Sequence, residues 1–187
     1  LEFPMIGEHN ISNLLAAVAV ARHLGIIDAD IRAGAIGFRG VNRRFTNLGK
    51  FNDIVIIDDY AHHPTEISAT LKAAKQATDG RVIAIHQPHR FSRLSNLFEE
   101  FCNCFADADI IGITPIFSAG EKRIEGITSN ALISSISERS NKPVHKIDNE
   151  KSLLSFITNH AKPNDMIVFM GAGSISTWAN NMMGVRG

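Results

Sequence analysis

The chain has 187 residues, with Lys plus Arg and Asp plus Glu balanced at 19 each, so its formal net charge is zero at neutral pH. That length allows one domain with a full core, or one domain and a piece of another, and the charge balance excludes a general attraction for nucleic acid, an anionic membrane or an acidic partner. No apolar stretch approaches the roughly 18 residues of a spanning helix and no basic-then-apolar leader opens the chain, so a soluble cytoplasmic protein is the default expectation.

The opening Leu1-Glu2-Phe3, with no initiator Met, reads as the start of a fragment. Residues 1–44 read as two helices, about 9–24 and 28–38, joined at Gly25-Ile26-Ile27-Asp28. The first is Ala-rich, with Ile11, Leu14, Leu15 and Val18 on one stripe that needs cover. Nothing later in the chain is left over to provide it. Residues 1–45 are therefore expected to be the last helices of a preceding domain and 46–187 a second unit. Asn42-Arg43-Arg44 and Asn47-Leu48-Gly49-Lys50 are expected to form the hinge region.

From residue 50 onward, short Val- and Ile-rich runs alternate with segments of helical period. The runs are Ile54 to Asp58, Val82 to His86, Ile110 to Thr114, Val144 to Ile147 and Met166 to Met170. The helical segments are 65–78, 92–106, 128–139, 149–160 and 175–183. Continuous apolarity in the strands implies burial on both faces, hence an α/β fold with a doubly wound, mostly parallel sheet and an N-terminal helical appendage. Right-handed crossovers bring the C-terminal ends of these strands to one edge. Cys102 and Cys104 fall two apart in a helical segment, point to different faces, and so neither grip a metal together nor close a disulfide. They read as core or boundary thiols.

Four segments carry chemistry. Asp58-Asp59-Tyr60-Ala61-His62-His63-Pro64-Thr65-Glu66 holds seven polar or ionisable side chains in nine residues at a strand exit, where open α/β sheets build ligand sites. Asp59 there could accept the hydroxyls of a ribose, and His62 could hold an anion or manage a proton. The plainer alternative makes Asp59 the N-cap of the helix after Pro64 and leaves the histidines solvated. The next strand ends in Gln87-Pro88-His89-Arg90-Phe91-Ser92-Arg93. Two guanidiniums at the start of a helix oppose its dipole, so something negative should compensate; a carboxylate or phosphate ligand fits, with two solvated arginines paired to Glu99 or Glu100 as the alternative.

Met170-Gly171-Ala172-Gly173-Ser174-Ile175-Ser176 is a glycine turn opening a helix. It lacks the third glycine of a dinucleotide pattern, and a tight turn capped by Ser174 or Ser176 serves equally well. Asn10 and Asn13, three apart near the start of the first helix, could read an adenine edge, although helix capping is their ordinary role. No Gly-x-x-x-x-Gly-Lys-[Ser/Thr] occurs anywhere, so no phosphate-cradling loop is present, and no metal site is expected in this chain.

Together Gly7-x-His9-Asn10-x-x-Asn13, Asn42-Arg43-Arg44-Phe45, the 58–66 string, Gln87 to Arg93 and Gly171-Ala172-Gly173 resemble the Mur ligases of peptidoglycan synthesis. Within that family the pattern is nearest to the members that add L-alanine to UDP-N-acetylmuramate. Members that reattach a recycled tripeptide typically read Arg-Arg-Met-Glu and Glu-Pro-Arg-Ser where this chain has Arg-Arg-Phe-Thr and Gln-Pro-His-Arg.

The resemblance implies an ATP-dependent enzyme of three domains, with this chain as the Rossmann-like third domain plus the last helices of the second. Asn10 and Asn13 would contact adenine, Arg44 would lie near the nucleotide at the interdomain joint, and Asp59 would hold the ribose. His62, Arg90 and Arg93 would bind the incoming L-alanine, whose amine attacks an acyl phosphate formed from ATP and UDP-N-acetylmuramate. Magnesium would be held in the missing domain, so this chain alone should not catalyse ligation. Ser174 departs from the Asp that many relatives carry after Gly-Ala-Gly. A free-standing module that binds nucleotide or amino acid without chemistry is the rival from another class.

Overall fold

The computed structural model describes residues 2–38 and 40–184, apart from the side chain of His9. Leu1, Arg39 and 185–187, within the expected domain spans, lie outside the described residues.

Two helices come first, α1 (Glu8–His23) and α2 (Asp28–Gly37). Then follow β1 (Thr46–Phe51), β2 (Ile54–Asp59), α3 (Pro64–Ala77), β3 (Val82–His86), α4 (Phe91–Asn96) and α5 (Phe98–Asn103). The chain continues through β4 (Ile110–Ile113), α6 (Ser129–Arg139), β5 (Val144–Lys146), α7 (Glu150–His160), β6 (Met166–Met170) and α8 (Ile175–Met182). The six strands form one sheet in the order β1-β2-β6-β3-β4-β5, with β1 antiparallel and every other pairing parallel.

Because successive strand residues face opposite ways, each central strand feeds two apolar layers. Ile57, Val82, Ala84, Ile111, Ile113 and Val168 join Leu71, Phe101 and Leu132 in one layer. Ile56, Ile83, Ile85, Ile110, Ile167 and Phe169 join Leu153, Phe156 and Ile175 in the other. This two-sided burial is the expected α/β architecture and explains why the strands read as continuous apolar runs.

Two local expectations are corrected. Asn47 to Lys50 is not a hinge: Thr46–Phe51 pairs with β2 through the two-residue turn Asn52-Asp53, whose φ values of 50° and 62° fit a tight hairpin that matches strand twist. This edge strand, bulged between Asn47 and Gly49, is largely solvent-facing and so carries little apolar pattern. The single helix expected over 92–106 is two short helices that meet at Leu97, where φ −124° and ψ 28° leave the helical region. Leu94 before that bend and Phe101 after it are both fully buried in the same layer.

The helices α1 and α2 pack on each other and α1 also meets α3, yet among the described residues neither apolar layer includes a side chain before Phe45. Of the expected stripe, Leu14 and Val18 face a cavity bounded by α1, α2 and α3, whereas Ile11 and Leu15 are exposed. Cys102 and Cys104 are buried free thiols, and burial pushes both thiol pKa values up, which suppresses reactive thiolate. Among the described residues no helix is long and apolar enough to cross a membrane.

Candidate functional site

Asp59 and His86 both stand level with Met170 across three parallel strands, so the polar segments of the sequence emerge side by side at the C-terminal edge of the sheet. Asp59 is 2 % exposed, with Oδ1 accepting the Ala61 N–H at 2.7 Å and Oδ2 accepting the Phe45 N–H at 2.7 Å. These bonds tie the strand exit to the connection from α2.

The capping alternative for Asp59 is overturned. His63 is the N-cap of α3: its ring accepts from the Thr65 N–H, and Glu66 accepts the backbone N–H groups of His62 and His63 at 3.0 and 3.2 Å. Pro64, with no N–H to satisfy, opens the helix. Burial of the Glu66 carboxylate pushes its pKa up, but these two backbone hydrogen bonds together with the attraction of nearby His62 and Arg44 outweigh it and hold the pKa below the usual value.

Asn10, Asn13, Arg44 and Asp59 all line one cavity of about 720 Å³ between α1, α2 and α3, together with Phe3, Met5 and Phe38. Its volume lies within the range of small-molecule sites. Helix capping does not occupy the two asparagines, since α1 begins at Glu8 behind Gly7, whose φ of 103° suits glycine. Asn10 is buried and its amide donates to the Ile6 carbonyl at 2.7 Å, while Asn13 is exposed.

His62, Arg90 and Arg93 do not line that cavity; His62 lies within 58–66 just past the exit of β2, and Arg90 and Arg93 follow the exit of β3. The Nδ1–H of His62 donates to the Tyr60 carbonyl at 2.9 Å and lies 3.4 Å from Glu66 Oε2. That tautomer, inferred from the bond, leaves Nε2 as the basic nitrogen. A row of rings follows: Tyr60 to His62 at 5.1 Å, His62 to His89 at 6.0 Å, and His89 stacked on Phe117 at 5.5 Å. Arg93 Nη1 lies 3.0 Å from His89 Nδ1 and donates to the His89 carbonyl. Burial first, then the neighbouring Arg93, lowers the pKa of His89 and keeps its ring neutral.

Arg90 occupies the N-cap position of α4 with φ 70°, and its N–H donates to the Phe117 carbonyl at 2.8 Å. Where a carboxylate or phosphate ligand is expected, this helix start meets a side chain of the chain itself: Glu121 accepts from the Ser92 N–H at 3.0 Å and Oγ at 2.6 Å and lies 4.0 Å from Arg90 Nη1. The alternative pairing with Glu99 does not occur, because Glu99 holds Arg139 across the packing of α5 on α6. Glu121 was missed in the sequence; its one local signal is the Ala119-Gly120 turn, both residues at positive φ.

The glycine turn serves packing. A Cβ on Gly173 would fall 2.5 Å from both Gln87 Oε1 and the Phe117 ring. Gln87 uses that space to accept the Ile175 N–H at 3.1 Å and donate to Ser174 Oγ at 3.2 Å, so it caps α8 in place of either serine. Ser176 instead donates to Asp58 Oδ2 at 2.5 Å. Among the described residues no three His, Cys, Asp or Glu side chains are grouped to hold a metal.

This geometry has counterparts. The profile of the Mur ligase glutamate ligase domain matches residues 43–173. The chain is 54 % identical over 179 residues to the UDP-N-acetylmuramate–L-alanine ligase of Dinoroseobacter shibae, covering 96 % of this chain and 39 % of that protein. Its fold superimposes on the UDP-N-acetylmuramate-alanine ligase of Thermotoga maritima with TM-score 0.79 at 27 % identity, over 98 % of this chain and 39 % of that one. For the murein peptide ligase of Psychrobacter arcticus the TM-score is 0.68 at 26 % identity, over 99 % and 38 % of the two chains. The chain thus spans about two fifths of the length of these relatives. With the matched profile covering most of its length, the chain belongs to the Mur ligase family and carries that family's C-terminal, glutamate ligase domain.

Proposed function

We propose that this chain forms the nucleotide-ribose and amino-acid-binding end of a cytoplasmic ligase that joins L-alanine to UDP-N-acetylmuramate at the expense of ATP, in peptidoglycan synthesis. Residues 1–45 would be the last helices of its central ATP-binding domain and 46–187 its C-terminal domain, with magnesium held outside this chain. The observation that carries the reading is the grouping of Asn10, Asn13, Arg44 and Asp59 on one cavity, with His62, Arg90 and Arg93 at the neighbouring strand exits.

Bound ATP supplies the phosphoryl group that makes the sugar carboxylate an acylating agent. This chain's residues do the rest by position. Asn10 and Asn13 face the base, Asp59 accepts from ribose hydroxyls, and Arg44 adds positive charge at the joint. Arg90 and Arg93 hold the carboxylate of L-alanine, which leaves its amine free to attack, and His62 orients that amine through Nε2.

The test is phosphate release by the complete gene product with ATP, magnesium, UDP-N-acetylmuramate and either L-alanine or the recycled tripeptide. L-Alanine should be the substrate used. Arg90→Lys or Arg93→Lys should lower kcat/KM for L-alanine by roughly 30- to 1,000-fold, because an ammonium lacks the planar fork and the contact positions the nucleophile as well as binding it. Wild-type kinetics in both variants would remove the carboxylate clamp. Asp59→Asn is the less clean probe, since its new NH₂ would oppose the N–H of Ala61 or Phe45 and loosen the joint as well as the ribose contact.

A further inference from the structure

Arg43 stands in the joint between α2 and β1 with a left-handed backbone, φ 60°, as does Phe45 at φ 50°. Non-glycine residues keep this conformation only where their surroundings impose it. Here the Arg43 carbonyl accepts the Tyr60 N–H at 2.7 Å, and the Phe45 N–H donates to Asp59. The Arg43 guanidinium donates from Nη2 to the Gly171 carbonyl at 2.5 Å and lies 4.8 Å over the Tyr60 ring. Its Nε is 3.6 Å from Asp58 Oδ2, the oxygen that also accepts from Ser176. One side chain thus ties the joint to the exits of β2 and β6 and, through Asp58, to α8.

Asp58 is 2 % exposed, and among the described residues neither its buried Oδ1 nor the buried Arg43 Nε has a hydrogen-bond partner. Stability gives little reason for such an arrangement, since a well-packed apolar pair at a buried site commonly equals or exceeds an ion pair. Position gives a reason. Arg43 directly precedes Arg44, and Asp58 directly precedes Asp59, so the pair sets the spacing between the two segments that line the nucleotide cavity.

We propose that Arg43, seated on Asp58, Gly171 and Tyr60, is a positioning residue that fixes the interdomain joint against the strand exits and so holds Arg44, Asn10 and Asn13 in register with Asp59. The kinetic consequence rests on the ligase reading; the structural one does not.

The experiment compares Arg43→Gln with the double variant Arg43→Gln/Asp58→Asn in the complete protein. The single variant strands a buried carboxylate, so its Tm falls and its KM for ATP rises about tenfold, with a smaller fall in kcat. The double variant removes that charge and regains Tm, whereas its KM stays high because the joint is still untied. Hydrogen exchange on the same proteins reads the joint without activity: protection of the Tyr60 N–H should fall about tenfold or more in both variants. Recovery of KM together with Tm in the double variant, or unchanged exchange, would show that Arg43 only neutralises Asp58. If the wild type does not ligate, the ligase reading falls and the exchange measurement still decides the role of Arg43. Should the single variant not fold, the double variant against wild type makes the same comparison.

Discussion

The α/β body and the helix pair before it hold similar kinds of side chain and use them differently. In the body, neighbouring residues of one strand, such as Ile56 and Ile57, enter opposite apolar layers, and α3, α6 and α7 each open on a side-chain cap from His63, Thr128 or Asn149. In the pair, α1 and α2 have no side-chain cap, and Ile11, Leu15 and Val20 are 52, 61 and 59 % exposed. An exposed Glu8–Lys72 ion pair at 2.8 Å and the Arg43 joint link the pair to the body. Apolar content therefore does not reveal which part of a chain buries it; the body is held by its own core, and the pair by its attachments.

The comparison breaks most visibly in the core. Phe101 is fully buried at the centre of one layer, and Phe101→Ala should cost about 3–5 kcal/mol in denaturant unfolding of this chain. A loss under about 1 kcal/mol would mean that the layer collapses around the deletion and does not set the stability of the body.

Acid should act next. His86 is fully buried, its Nδ1–H donating to the Met170 carbonyl at 3.2 Å and its ring 5.7 Å from that of Phe101, and burial holds its pKa down at about 3. In the unfolded chain the ring protonates near pH 6.5. The neutral form is thus the one that folding favours. Its contribution is complete above about pH 6.5 and is lost, by up to about 1.4 kcal/mol per pH unit, as pH falls towards 3. His89 and His145, whose pKa values burial also lowers, change stability in the same direction. His86→Asn, which retains an N–H donor but does not titrate, should flatten this acid limb in unfolding series from pH 7 to 4. An unaltered slope would assign the acid sensitivity to other groups.

Two smaller effects sharpen the contrast. The Thr128 hydroxyl accepts the Ala131 N–H at 3.0 Å, and Thr128→Ala should cost about 1 kcal/mol because that N–H then lacks its cap. Leu15→Ala, on the exposed side of α1, should change global unfolding by less than about 0.5 kcal/mol. A cost above about 1 kcal/mol for Leu15→Ala would place the pair within the cooperative unit of the body.

Much of this molecule is legible residue by residue. Val82–His86 and Met166–Met170 read as buried strands from their continuous apolar character, and the helices other than the broken pair α4 and α5 start and stop within a residue or so of where period puts them. The strand-exit positions of Asp59, His62 and Arg90 follow from the same pattern. Thr46–Phe51 is not legible, because an edge strand has one neighbour and an exposed face, so its ladder with β2 specifies it and not its side chains. The choice of His63 over Asp59 as helix cap is harder to read, since His63 directly precedes Pro64 but a ring nitrogen is an uncommon cap, while the carboxylate of Asp59, five positions before Pro64, is taken by the Ala61 and Phe45 N–H groups.

The sequence by itself determined the α/β class, the order of the central elements and which polar segments leave the sheet at its C-terminal edge, because each rests on the periodicity or chemistry of consecutive residues. Only the tertiary structure decided that Glu121 meets Ser92 and Arg90, that Gln87 caps α8, and that Arg43 seats on Asp58 and Gly171. Those partners lie far apart along the chain or depend on the path of the joint, and they meet because the sheet order places β6 between β2 and β3 and β4 beside β3.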